Sequence, residues 1–149
     1  MNNKFTKMYY IPVLYYGFNN NNNNNIYEDV TNELKKNLLR YKNNYYEKKL
    51  LHTKNNMIEK TIEYVEYKSC LIRLILIDYA YINPNNIGKD LLNSLINKWI
   101  NQENVNNKIK DQIYERTIKN IIKYENSINN IEEILMIISL QIIENYYFN

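Results

Sequence analysis

Between Cys70 and Ile82 the chain reads CLIRLILIDYAYI, apolar at almost every position. A helix that is greasy all round cannot lie on a protein surface, because its outer side chains forgo transfer out of water. It must be surrounded, by lipid or by protein. A membrane span needs about 20 apolar residues, and this run is shorter and carries Arg73 and Asp78. A second run, ILMIISLQII over Ile134–Ile143, is shorter again. Two such helices have to be jacketed by protein, so the rest of the chain is expected to supply amphipathic helices and no transmembrane span.

The 3.6-residue period supplies them. Val30, Leu34, Leu38, Tyr41 and Tyr45 fall at helical steps, predicting a first helix from Ile26 to about Leu51. Asn25 is its expected cap, with Glu28 and Asp29 placed to suit the helix dipole. A second helix is expected from about Met57, with a stripe of Ile58, Ile62, Val65, Ser69, Ile72, Leu76 and Tyr79, ending before Pro84. Pro84 can open a third helix over about 85–101, where Gly88 in the first turn costs little and Ile87, Leu91, Leu92, Leu95, Ile96, Trp99 and Ile100 form the inner face. A weaker fourth covers about 105–124. Ser127 can cap a fifth that holds the second greasy run.

Two Gly and two Pro in 149 residues leave little material for strand turns, in agreement with helices throughout. The fold class expected is all-α: a single-domain antiparallel bundle of about five helices, helices two and five at its centre, with an extended N-terminal arm. A short solenoid of helical hairpins is the alternative, and the residues show no internal repeat that would favour it. Residues 1–25 form the arm and a poly-Asn loop, residues 26–149 the helical domain. The asparagines of 19–25 have poor helix and strand propensity and read as a solvated tether.

Thirty Asn, 23 Ile, 16 Tyr and 16 Lys dominate the composition. All four residues are spelled by codons built mostly from A and T, so an AT-rich genome accounts for the bias. The same drift discounts the net charge of +3 and the pI of 8.7 as signs of an anionic partner. Only three arginines, Arg40, Arg73 and Arg116, are scattered along the chain.

No chemistry-bearing constellation is legible. Two glycines cannot build a phosphate cradle. One cysteine, Cys70, and one histidine, His52, exclude a disulfide framework and a multi-cysteine zinc site. Glu59, Glu63 and Glu66 share a helix face but read as a solvated edge, and Glu132 and Glu133 point to different sides. An enzyme, a cofactor and a metal are therefore not expected.

Three residues stand out as candidate partner contacts. Arg73 and Asp78 lie in the greasiest segment, where an unpaired charge costs several kcal/mol; either the helix keeps one narrow wet edge, or they reach partners such as Glu132, Glu133 or Glu144, or a partner protein. Trp99 is the one aromatic that base composition does not favour, and is either core or an interface anchor. The expected function is a non-enzymatic helical interaction protein, a subunit or adaptor with a protein partner or a second copy. The alternative is a nucleic-acid-associated protein of a ribonucleoprotein, resting on the basic sector KKNLLRYKNNYYEKK over 35–49 and on the tyrosines. Residues 1–18 lack acid but also arginine and serine, so a soluble intracellular location is expected, with a mitochondrial presequence the other reading.

Overall fold

The computed structural model describes residues 23–51, 61–128 and 130–148. These are 88% helical with no strand, an all-α bundle of five helices. Helix α1 spans Asn23–Leu51, α2 Ile62–Ile82, α3 Gly88–Glu103, α4 Asn107–Lys123 and α5 Ile131–Ile142. A 3₁₀ turn, Glu125–Ser127, precedes α5, and a π turn, Ile143–Tyr147, prolongs it. The arm expected over residues 1–25 lies, as far as residue 22, outside the described residues.

Helix ends differ from expectation, and the reasons are local. Asn25 is not a cap, because α1 already begins at Asn23 and takes in the last asparagines of the run. Helix α2 begins at Ile62 and not near Met57: Thr61 is extended, and its hydroxyl accepts the Tyr64 N–H at 3.4 Å. Pro84 sits in a turn, and α3 opens at Gly88 after the extended Ile87. Gly88 has φ 59°, a left-handed conformation that a Cβ opposes, so glycine is favoured there. Ser127 falls in the 3₁₀ turn, and the cap of α5 is Asn130, whose side chain accepts the Glu133 N–H at 3.3 Å.

Helix α2 packs against α1, α3 and α5, and α5 packs against α2 and α4. Cross-contacts fix the directions. At the start of α1 the Tyr27 ring stacks on Tyr81 at 4.0 Å and its hydroxyl donates to Asp78 at 2.7 Å. At the end of α1, Lys48 meets Glu63 at 3.1 Å and Tyr45 packs on Tyr64 and Tyr67. The two helices are therefore antiparallel. Helices α2 and α5 are antiparallel by the same logic, since Arg73 reaches Glu132 while Tyr64 meets Phe148.

Buried side chains from all five helices form one cluster. Ile72, Leu76 and Ile77 of α2 are wholly buried, as are Ile134, Leu135 and Ile138 of α5. Each such side chain contributes about 1.5–3 kcal/mol by leaving water. The inner face of α3 is the one expected, from Leu91 to Ile100, except that Ile87 is exposed. The α2 stripe is rotated: Tyr64, Cys70, Arg73, Ile77 and Ala80 are buried with Ser69, Ile72 and Leu76, whereas Ile62 is 68% exposed. No helix among the described residues is long and apolar enough to cross a membrane.

Candidate interaction surface

Two of the three residues singled out in the sequence are enclosed by the chain itself. Trp99 is buried on α3 with its ring 6.5 Å from that of Tyr147. The indole N–H and the Tyr147 hydroxyl are both buried without a geometrically sound hydrogen bond among the described residues. Burial raises the Tyr147 pKa well above its usual value, Glu103 adds to the rise, and the Trp99 N–H opposes it. Arg73 is buried too. Its Nε–H donates to the Ser69 carbonyl at 3.3 Å and its Nη1 lies 3.6 Å from Glu132 Oε1. Burial lowers the guanidinium pKa, while Cys70, Glu132 and Tyr41 raise it. Asp78 is exposed and accepts the Tyr27 hydroxyl. The structure does not bring the three together on one surface.

Beside Arg73, a buried polar seam joins α2 to α5. Ser69 and Ser139 share a hydrogen bond of 2.7 Å, and Ser139 also donates to the Met136 carbonyl at 2.9 Å. The Cys70 thiol donates to the Leu34 carbonyl at 3.3 Å, and burial raises its pKa. These bonds hold helices in register and are closed to solvent. An open cleft of about 380 Å³ lies between the 3₁₀ turn and α5, lined by Tyr124, Ile128, Glu132, Met136 and Ile137 among others, mostly apolar. Among the described residues no group of three or more His, Cys, Asp or Glu could hold a metal ion. His52 lies outside them.

The most distinctive surface is the outer face of α1. Its inner face is as expected, with Val30, Leu34 and Tyr45 buried and Leu38 and Tyr41 half-buried. The outer face carries Leu39 at 65% exposure, Leu50 at 77% and the exposed Tyr46. At about 100° per residue, positions 39, 46 and 50 fall within roughly 40° of one another, a row about 16 Å long. No protein family, curated protein or solved structure matches this chain. The surface must be read from its own residues.

Lysines flank the row. Lys35, Lys42 and Lys49 recur every seven residues along one side, all exposed, and Lys36 and Arg40 are exposed on the other. Residues 35–49 hold six cations against Glu47 alone, net +5, where the whole chain nets +3; the remainder is net −2. Some of this charge is engaged locally, with Arg40 over the Tyr41 ring and Lys49 over the Tyr45 ring. Lys48 is paired with Glu63, whose carboxyl is held below its ordinary pKa first by its own backbone N–H and then by Lys48. Reading the sequence by the inner stripe alone passes over the row. Its signal was there: the doublets Leu38–Leu39 and Tyr45–Tyr46, seven residues apart, each place one side chain inward and one outward.

Proposed function

We propose that the protein is a non-enzymatic helical interaction module, a subunit or adaptor, that holds a protein partner along the outer face of α1. The observation that carries this reading is the aligned exposure of Leu39, Tyr46 and Leu50. Single apolar side chains on a surface need no explanation, whereas apolar side chains aligned on one helix face, here interrupted by Asn43, are the pattern used for docking. Removing that row from water supplies the driving force; Leu39 and Leu50 are left out of the core, while the Tyr46 ring also leans on Tyr67 of α2 at 6.1 Å. The test is site-specific photo-crosslinking in cells of the source organism. A benzoylphenylalanine at position 39 should capture a discrete protein, and one at the exposed Asn93 of α3 should not. Equal capture from both positions, or none from position 39, would sink the reading.

A second reading has its own observation, the six cations over 35–49. A basic helix with Tyr46 beside it suits a phosphate backbone, as in a ribonucleoprotein component. Its signature is binding to single-stranded RNA that weakens steeply as salt rises.

A further inference from the structure

From the same face, we infer the chemistry of the partner: an acidic amphipathic helix laid along α1. This deepens the docking reading and rests on it. Three features converge. The row Leu39–Tyr46–Leu50 advances by seven and then four residues, the step at which a second helix presents its own apolar seam. The exposed lysines at 35, 42 and 49 repeat at the same seven-residue interval beside that seam, at the positions that face a partner's flanks. Exposed Lys35 and Lys42 set positive charge on that flank, which carboxylates on a partner helix complement.

The competing occupants each leave part of the face unused. A second copy of α1 would set one basic flank against another, which like-charge repulsion disfavours. A phosphate backbone would engage the lysines but leave Leu39 and Leu50 wet, and Arg40 is the only arginine on the helix. A lipid surface asks for a broad apolar face on the helix that enters it, and here exposed Asn43 and Lys36 sit close beside a narrow row. An acidic helix uses both the row and its flanks.

The experiment measures full-length chain by fluorescence anisotropy against labelled probes. The first is a synthetic peptide of about four heptads with leucine at both seam positions and glutamate at the flanks. The others are the same peptide with lysine flanks, a uridine 20-mer, and phosphatidylserine vesicles. The glutamate peptide should bind, with affinity falling as salt rises. Leu39→Glu with Leu50→Glu should weaken it at least about tenfold while leaving far-ultraviolet circular dichroism unchanged. Lys35→Glu, Lys42→Glu and Lys49→Glu together should move the preference to the lysine-flanked peptide. Failure of the glutamate peptide to bind, equal binding of both peptides, or tighter binding of the RNA or the vesicles overturns the inference. If position 39 still captures a protein in cells, the docking reading survives that failure; if it captures none, both fall.

Discussion

Ser69 and Ser139 are two small hydroxyls in the middle of an apolar bundle, and each completes the other. Their 2.7 Å bond is buried, so truncating one leaves Ser139 only the Met136 carbonyl, or Ser69 only the weak Met136 sulfur contact. Ser69→Ala and Ser139→Ala should each cost about 1–3 kcal/mol in urea unfolding. The double change removes both polar atoms, so its cost should fall below the sum of the singles. An additive double would show that the two hydroxyls do not depend on each other. Asparagine acts at the same scale, at helix ends. Asn106 accepts the Ile109 N–H at 3.0 Å, Asn104 adopts the left-handed φ of 54° that closes α3, and Asn83 donates to the Tyr79 carbonyl at 2.9 Å. Those caps were hard to read from sequence because Asn is so common here. A bias that puts Asn everywhere conceals the few positions where its short amide is required, which is why Ser127 drew the cap that belongs to Asn130.

At the scale of the element, α2 shows why a greasy helix is easy to find and hard to orient. Its burial was legible from CLIRLILIDYAYI, since nothing but protein could surround it. Its buried arc was not, because a helix with apolar residues on every side has no period, and the neighbours α1, α3 and α5 decide which side chains they cover. Ile62 is left outside by this, and Arg73 is taken in. For Arg73, packing and charge separate cleanly. Glu132 is 39% exposed and can be solvated alone, so Arg73→Met, which keeps the volume, should stay within about 1 kcal/mol of the parent. Arg73→Ala opens a cavity between α2 and α5 and should cost about 2–5 kcal/mol. Equal losses from both, read as urea midpoints, would mean that the ion pair rather than the aliphatic stem holds the contact. The five helices themselves were legible because four of them show one clear stripe or a greasy run. Their ends were displaced by caps and by the Gly88 turn, which depend on one backbone torsion each.

Across the whole molecule, the C-terminal turn closes one end of the bundle. Tyr147 rests between Trp99 of α3 and Lys68 of α2, whose ammonium lies 4.4 Å from its ring centroid. Tyr146 donates to the Glu103 carbonyl at 3.4 Å, and Arg116 of α4 donates to Asn145. The fold thus prefers the Tyr147 phenol neutral, with a pKa raised above the ordinary 10.0. A raised folded pKa gives stability that is present in full below the unfolded value and is lost as pH climbs from there towards the folded one. Urea midpoints of the parent should therefore decline above about pH 10. Tyr147→Phe should decline less steeply over the same range, with Tyr27 and Tyr67, whose pKa values are also raised, leaving a residual slope. Parallel slopes would remove Tyr147 as a source of alkaline instability. The same corner has an optical consequence. The chain has one tryptophan among 16 tyrosines, and that indole is enclosed with a tyrosine ring 6.5 Å away. Light absorbed by the tyrosines is therefore gathered into a single, dry emitter at the junction of α3 and the C-terminal turn, and its colour reports, unlabelled, whether that end of the bundle is shut.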